Sequence, residues 1–177
     1  MNEVILVDKN DVAIGRMEKL EAHEKALLHR AFSVFIFNNK GEMLLQQRAD
    51  KKYHSAGLWT NACCSHPSPG EDTAAAAIRR LKEELGFTTT LNKAFTFIYR
   101  TDFENGLTEN EFDHVYTGIY DGPVIPDISE VKSYVYMPVD EVEKFVAKEP
   151  ARYTSWFLIA FPQMIKWLSK SNGINLP

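Results

Sequence analysis

The amino-acid sequence predicts an α+β fold in which a mixed β-sheet lies between layers of helices, with a hairpin at the N-terminal end and helices at the C-terminal end. Two observations lead to this prediction. Short segments rich in β-branched and aromatic residues recur between turn-forming clusters, and helical periodicity of apolar residues occurs near the middle and the end of the chain. No internal repeat or linker is evident, and 177 residues suit a single domain spanning residues 1–177.

The first part of the chain is predicted to be mainly extended. Strands at residues 4–7 and 12–14 flank a turn-rich quartet and form an N-terminal hairpin. Residues 17–28 have a helical composition without a strong apolar stripe. The apolar strand 31–37, the turn 38–41 and the strand 43–48 predict a second hairpin.

A helix is predicted in the middle of the sequence, from about residue 73 to residue 85. Asp72 and Thr73 offer N-cap oxygens, and Gly86 suits the left-handed residue that ends many helices. The apolar face of this helix is predicted to hold Ile78, Leu81 and Leu85. Arg80 and Glu84 lie one turn apart and are expected to project together from the opposite face.

The second half is predicted to contain three strands and then two helices. The strand 94–100 places Phe95, Phe97 and Tyr99 on one face, and the strands 109–120 and 131–136 follow it. Pro138 is expected to open a helix that runs to about residue 147, with Val142, Phe145 and Val146 on its apolar stripe. The last helix is predicted over residues 153–168, with a kink or a start at Pro162.

Composition limits the classes of function. The net charge of −4 argues against a general nucleic-acid-binding surface, so any phosphate site must be a local cluster of cations. An apolar run of about 18 residues, which a membrane span would need, is not found, and the N-terminal residues do not resemble a secretion signal. The two cysteines are adjacent and make a poor disulfide framework, so we expect a reducing, cytoplasmic location.

Several reactive groups admit more than one interpretation. His23 and His29 are six residues apart, or about 240° on a helix, so they could share a metal ion only if the chain turns between them. Glu109 and Glu111 face the same side of a strand about 7 Å apart. Such a pair is either exposed to water, bound to a metal, or has one carboxyl group protonated. The basic cluster near Arg48 is either a solvated face or a binding site.

Residues 71–87 resemble the Nudix signature, G-x5-E-x7-R-E-U-x-E-E-x-G-U, in which U is aliphatic. The positions that match in register are Glu71, Arg79, Leu81, Glu83, Glu84 and Gly86. Two positions depart from the signature: Ser65 replaces the leading glycine, and Arg80 replaces the first glutamate of the R-E-U-x-E-E core. Nudix hydrolases use the carboxylates of this helix to hold divalent ions, whereas an arginine binds phosphate. The resemblance therefore implies a Nudix fold that binds a diphosphate without hydrolysing it.

Within the Nudix superfamily, the chain is similar to the type I isopentenyl-diphosphate isomerases over about residues 4–167. Besides the segment WTN-x-CCSHP, the family's motifs stand here as Ala22-His23, Leu28-His29-Arg30-Ala31-Phe32, Cys64-Ser65-His66-Pro67, Glu109-Asn110-Glu111 and Ser155-Trp156. In that family three histidines and two glutamates bind one divalent ion. The resemblance implies that His23, His29, His66, Glu109 and Glu111 bind Mn²⁺, Mg²⁺ or Zn²⁺. It also implies a second ion, Mg²⁺, that arrives with the substrate diphosphate and contacts Glu84.

The resemblance implies an isomerase that interconverts isopentenyl and dimethylallyl diphosphate through a tertiary carbocation, in the biosynthesis of isoprenoid precursors. Cys64 and Glu111 match the acid/base pair on opposite faces of the alkene, Tyr99 the phenol that assists the glutamate, and Trp156 the indole that covers the cation. The matching diphosphate-binding cations are Lys19, Arg48, Lys52 and Arg80. The histidines without a matching role, which are expected to be solvated or structural, are His54 and His114.

Two alternative functions belong to other classes. A Nudix pyrophosphohydrolase would need a carboxylate at the position of Arg80. A non-catalytic diphosphate-binding protein would have no use for the paired Cys64 and Glu111. The expected partner is a small isoprenyl diphosphate, with neither nucleic acid nor membrane involved, and the sequence does not indicate an oligomeric state.

Overall fold

The computed structural model describes residues 3–52, 55–103 and 105–170. The predicted position of His54 and both ends of the predicted domain, 1–177, lie outside these ranges. The elements are β1 Glu3–Val7, β2 Ala13–Glu18, α1 Lys19–Glu24, β3 His29–Phe37, β4 Glu42–Arg48, β5 Trp59–Asn61, β6 Cys63–Ser65, α2 Thr73–Leu85, β7 Asn92–Asp102, β8 Thr108–Ile119, β9 Val131–Pro138, α3 Val139–Lys148, a 3₁₀ turn Pro150–Arg152, and α4 Ser155–Lys170.

The strands form one mixed sheet with β3 near its centre. β3 pairs in parallel with β8 along its whole length and antiparallel with β1 and β6. β7 adds to the other edge of β8, and β4 pairs with β5 and β9. The N-terminal hairpin of β1 and β2 is as predicted.

The second predicted hairpin is largely wrong in its pairing. Both strands form, but β3 and β4 pair only at Phe37 and Met43 in the described part of the chain. The two strands then diverge, because β3 bonds to β8 and β6 while β4 bonds to β9 and β5. Long-range pairing of this kind has no signal in a local turn.

The alternation of side chains along β3 places the sheet between two helical layers. Phe32, Val34 and Ile36 pack into a core with Leu81 and Leu85 of α2. Phe35 and Phe37 point to the other face. They share a second core with Val115, Phe157 and Met164. Since neighbouring residues of a strand face opposite sides, one apolar strand serves both cores, and the predicted α+β layering is confirmed.

Helix α2 begins and ends at the predicted residues. The Asp72 carboxylate accepts a hydrogen bond of 2.9 Å from the Ala75 N–H group, and Gly86 has a φ of 80°. A Cβ atom at Gly86 would come within 2.5 Å of the Ile125 carbonyl oxygen, so both the backbone angle and the close approach require glycine. Arg80 and Glu84 project together as predicted, since Arg80 Nη2 lies 2.7 Å from Glu84 Oε1, and the Glu84 side chain is buried.

Helix α1 is much shorter than the predicted segment 17–28. Strand β2 continues to Glu18, and the helix ends after Glu24. Ala26 adopts a left-handed φ of 53°, which reverses the chain before β3 begins at His29. This reversal supplies the turn between His23 and His29 that a shared site requires.

The C-terminal helices form as predicted, with differences in detail. Val142 of α3 is buried, but Phe145, which the pattern places on the same stripe, is 41% exposed. Pro162 lies inside α4, which continues past it. Within the described residues, none of the helices has the length and apolar character needed to cross a membrane.

Candidate active site

Three histidines and one glutamate converge from four different parts of the fold. They are His23 on α1, His29 at the start of β3, His66 just after β6, and Glu111 on β8, and their candidate ligand atoms lie within 4.8 Å of one another. The parallel register places His29 directly opposite Glu111. The three imidazole rings lie 4.8–5.7 Å apart, centroid to centroid.

Backbone contacts fix the orientation of two of the imidazoles. His23 Nδ1–H donates to the Lys19 carbonyl oxygen at 2.6 Å, and His29 Nδ1–H donates to the Leu27 carbonyl oxygen at 2.8 Å. Because a carbonyl oxygen only accepts, Nδ1 carries the proton in the neutral form of each imidazole, and Nε2 is then the atom that can bind a metal. These contacts are of the kind that orients metal-binding histidines.

The Tyr99 hydroxyl group joins the two glutamates of the Glu109-Asn110-Glu111 segment. Its oxygen lies 2.6 Å from Glu111 Oε2 and 3.2 Å from Glu109 Oε2. The single O–H proton therefore goes mainly to Glu111. Of the five residues predicted to bind the divalent ion, Glu109 is the one that the structure leaves outside the histidine–glutamate cluster.

The two glutamates differ in their electrostatic state. Burial raises the pKa of Glu109 well above its ordinary value, and the charge of Glu111 raises it further. Burial alone would also raise the pKa of Glu111, but the neighbouring His66, whose Nε2 atom is 2.9 Å from Glu111 Oε1 and can donate to it as a neutral imidazole, together with His29 holds it well below its usual range. The structure therefore keeps Glu111 ionised and favours a protonated Glu109.

The cluster fits a divalent metal ion. Burial lowers the pKa of His66 to about 3, so this imidazole is neutral near pH 7 and able to act as a ligand. His29 Nε2 is buried, lies 3.5 Å from Glu111 Oε1, and makes no hydrogen bond within the described residues. A cation among three imidazoles and a carboxylate would satisfy this atom and match a common donor set for transition metals.

Nearly all of the other predicted site residues line a single cavity beside this cluster. The lining includes Lys19, His23, Arg48, Lys52, Cys64, His66, Arg80, Glu84, Tyr99, Glu109, Glu111 and Trp156. Of the predicted residues, His29 is absent from the lining because its side chain is fully buried behind it. The predicted acid/base, cation-binding and metal-binding groups thus share one enclosure.

The Cys64 thiol lies in a polar setting on one wall of the cavity. Its sulfur is 3.1 Å from Asn61 Oδ1 and 3.5 Å from Ser33 Oγ. Ser33 in turn donates to Asp113 Oδ2 at 2.7 Å. Burial raises the pKa of Cys64, with a further contribution from Asp113, so the resting group is a neutral thiol.

At the end of the cavity that holds Arg80 and Lys52, neighbouring carboxylates offset the positive charge. Arg80 Nη2 lies 2.7 Å from Glu84 Oε1 and 3.4 Å from Glu130 Oε2, and the Lys52 ammonium group also contacts Glu130. Gln46 Nε2 donates to the other Glu84 oxygen at 3.0 Å. The guanidinium group of Arg48 lies 5.0 Å from the centre of the Trp156 ring.

Sequence reasoning missed several residues of this site. Gln46, Thr60 and Glu130 line the cavity, and Asp113 lies behind Cys64. Asp113 had a local signal, because it continues the period-two spacing of Glu109 and Glu111 along one face of a strand. Thr60 stands in the segment WTN-x-CCSHP, which gave it no role. The sequence did not indicate that this segment forms the short strands β5 and β6, which carry or flank most of this wall.

Comparison with known proteins agrees with this geometry. The NUDIX domain family model matches residues 27–157. An isopentenyl-diphosphate Delta-isomerase of Pectobacterium atrosepticum is 50% identical to the chain over 166 residues, which cover 93% of this chain and 92% of that relative. A protein of the same name from Burkholderia multivorans is 49% identical, over 87% of this chain and 88% of its own.

Solved structures share the fold at lower sequence identity. DR0079 from Deinococcus radiodurans superposes with a TM-score of 0.68 at 17% identity, covering 82% of this chain and 89% of its own. A MutT protein from Methanosarcina mazei gives a TM-score of 0.64 at 20% identity, covering 78% and 94%. Because the family model covers most of the chain and the relatives match it almost from end to end, the chain belongs to the NUDIX domain family and, within it, to the isopentenyl-diphosphate Delta-isomerases.

Proposed function

We propose that this enzyme interconverts isopentenyl diphosphate and dimethylallyl diphosphate, with Cys64 and Glu111 as its acid/base pair. The observation that carries the proposal is the shared cavity, in which a thiol and a carboxylate accompany four cations suited to a diphosphate. The relatives named as isomerases of isopentenyl diphosphate support this choice of substrate.

The reaction moves a proton without a net change in composition. One group of the pair adds a proton to the terminal alkene carbon, which leaves a tertiary carbocation at the neighbouring carbon. The other group removes a proton from the carbon on the far side of that cation, and a new double bond forms. Because addition and removal occur on opposite faces, the two groups must lie on opposite sides of the substrate, as we propose for Cys64 and Glu111.

Tyr99 is proposed to assist Glu111. Its hydroxyl group donates to Glu111 Oε2 at 2.6 Å, so it stabilises the ionised carboxylate and fixes its orientation. Burial and the charges of Glu109 and Glu111 raise the pKa of Tyr99 well above its ordinary value, which keeps the phenol protonated as a donor.

Trp156 is proposed to stabilise the carbocation through its π face. The Arg48 guanidinium group lies 5.0 Å from the centre of the Trp156 indole ring, so a positive charge is already present at its π face. Such contacts contribute up to about 2 kcal/mol when water is excluded. Trp156 is 4% exposed, so the ring is held in a largely dry setting that also protects a cation from water.

The diphosphate is proposed to bind Lys19, Arg48, Lys52 and Arg80. Glu84 would hold the Mg²⁺ ion that accompanies it, and His23, His29, His66, Glu109 and Glu111 would hold a Mn²⁺, Mg²⁺ or Zn²⁺ ion. A divalent ion at the histidine–glutamate site would supply positive charge that favours the ionised form of both carboxylates. We further propose that residues 1–177 act as one domain and that the enzyme is cytoplasmic, consistent with two free cysteines.

Proton NMR of isopentenyl diphosphate in D₂O, with purified protein and Mg²⁺, tests the function, and phosphorus NMR follows the diphosphate in parallel. New dimethylallyl signals, deuterium incorporation and an intact diphosphate are expected. Release of phosphate or pyrophosphate would instead indicate a pyrophosphohydrolase. Unchanged spectra with metal bound would indicate a diphosphate-binding protein without catalytic activity.

A further inference from the structure

A chain of buried hydrogen bonds connects Trp156 to Cys64 along one wall of the cavity. Trp156 Nε1–H donates to Thr60 Oγ1 at 2.9 Å, and Thr60 Oγ1–H donates to Asn61 Oδ1 at 3.0 Å. The Cys64 thiol donates to the same Asn61 oxygen at 3.1 Å. Asn61 is 0% exposed and Thr60 1% exposed, so water does not compete for these groups.

The direction of each bond follows from the chemistry of its members. An indole N–H group can only donate, and the Thr154 hydroxyl group also donates to Thr60 Oγ1 at 3.1 Å. Thr60 therefore accepts from both, and its own proton goes to Asn61. The Asn61 amide cannot be turned around, because its Nδ2 group donates to the carbonyl oxygens of Val34, at 3.0 Å, and Cys63, at 3.1 Å. Its Oδ1 atom must therefore face Thr60 and Cys64.

Strand β5 holds this chain in place. Thr60 and Asn61 pair with Gln46 and Leu45 of β4. On the other side, the Thr154 N–H group donates to the Trp59 carbonyl oxygen at 3.0 Å, just before α4 begins. The same three-residue strand therefore holds both the thiol on β6 and the indole on α4 in position.

A second acceptor lies near the thiol but is farther away. Ser33 Oγ is 3.5 Å from the Cys64 sulfur, and the Ser33 proton goes to Asp113. A thiol is a weak donor, so a single S–H···O contact contributes orientation more than stability. The nearer Asn61 oxygen selects one rotamer of the Cys64 side chain.

We propose that Asn61 and Thr60 are positioning residues that hold the Cys64 thiol and the Trp156 indole in a fixed relation on one wall of the active site. Asn61 acts through Cys64 and does not line the cavity. Thr60 transmits the same constraint to Trp156. The proposal rests on the proposed isomerase function for its kinetic test, but its spectroscopic tests are independent of turnover.

The kinetic test compares Thr60→Val with Thr60→Ser. Valine has the shape of threonine and lacks the hydroxyl group, so kcat should fall by about 10- to 100-fold, in line with the cost of a misplaced catalytic group, while KM stays within about twofold. Serine keeps the hydroxyl group and should retain most of kcat. Thr117→Val, at a buried threonine of β8 outside the cavity, is the matched control and should keep kcat near the wild-type value.

Two spectroscopic measurements report on the hydrogen bonds themselves. In ¹H–¹⁵N spectra, the indole N–H resonance of Trp156 should move in Thr60→Val and remain in place in Thr117→Val. In infrared spectra of the wild-type protein, the S–H stretching band that disappears in Cys64→Ser should lie at lower frequency than the band of a free thiol.

Distinct outcomes would overturn the proposal. It fails if kcat of Thr60→Val equals that of Thr117→Val, or if the loss lies in KM alone. An unmoved Trp156 resonance would also refute it. Should Thr60→Val not fold, a Cys64 band at the free-thiol frequency in the wild-type protein would decide against the proposal. A wild-type protein without turnover but with a shifted band would refute the proposed function and leave the positioning chain intact.

Discussion

The Arg80 guanidinium group lies 2.7 Å from the Glu84 carboxylate, one turn further along α2. At the position of Arg80, the Nudix signature has a carboxylate. The exchange replaces a group that can bind cations with one that can bind anions, and Glu84 lies buried beside it. The residue paired with Glu84 would therefore distinguish a helix that holds a diphosphate, which has arginine here, from one that cleaves it, which has a carboxylate.

Arg80→Glu should weaken substrate binding. The change removes a charge-assisted hydrogen-bond donor and places a third carboxylate beside Glu83 and Glu84. Since such bonds contribute about 1.5–3 kcal/mol, KM for isopentenyl diphosphate should rise at least about tenfold. Steady-state kinetics measures this, with Lys82→Glu on the exposed side of the same helix as the control for charge. An unchanged KM in Arg80→Glu would contradict the assigned role.

Cys64→Ala and Glu111→Gln should lose turnover in distinguishable ways. Both remove one member of the acid/base pair, so deuterium exchange into product should fall by at least about 10²-fold in each. Glu111 also belongs to the histidine cluster, whereas Cys64 does not. Metal analysis after dialysis should therefore show a loss of bound ion in Glu111→Gln and a normal content in Cys64→Ala. Equal metal content in both variants would remove Glu111 from the ligand set.

Addition of a divalent metal should stabilise the folded protein through the histidine cluster. An ion at 100 times its dissociation constant adds about 2.7 kcal/mol, which corresponds to a rise in Tm of roughly 5–10 °C for a chain of this size. Calorimetry of chelator-treated protein, before and after titration with Mn²⁺ or Zn²⁺, measures the shift. His66→Ala should abolish it. His114→Gln, at a buried histidine that contacts Asp11 instead, should retain it.

The pH dependence of stability should carry the signature of Asp113. Burial, and then the charge of Glu111, raise the pKa of this carboxyl group from 3.8 to about 8. Between these values the native state binds more protons than the unfolded state, so the free energy of unfolding falls as pH rises through this window. Asp113→Asn keeps an oxygen acceptor for Ser33 and removes the titration. Urea unfolding of metal-free protein should then show a weaker fall with pH in the variant; identical slopes would contradict the assignment.

Local sequence signals predicted the elements better than their partners. The cap at Asp72 and the stop at Gly86 depend on neighbouring residues, and α2 was predicted to within a residue. The β3–β4 pairing failed because the partners of β3 are decided by residues such as Glu111, more than 70 positions away. The length of α1 failed because the left-handed turn at Ala26 involves a residue type that rarely adopts it.

The site was predicted largely through family resemblance, and the structure brings most of those residues together. The sequence could not predict the residues that contact and orient the site residues. Thr60 and Asn61 stand in a motif that sequence alone left without a role, and their function as donors and acceptors exists only once β5 and α4 meet. Glu130 contacts Lys52 and Arg80 although it lies 78 and 50 residues from them along the chain, and no local spacing connects these residues.

His29, Glu111 and Tyr99 form a row across three adjacent strands. The effect of an insertion or deletion on this row depends on whether it has an odd or an even number of residues. Inserting or deleting one residue in β8 before Glu111 would turn that carboxylate to the opposite face of the sheet. A two-residue change would restore the face but displace the carboxylate by about 7 Å along the strand. Natural or engineered changes in chain length should therefore be accepted in the connections between strands and rejected inside this row.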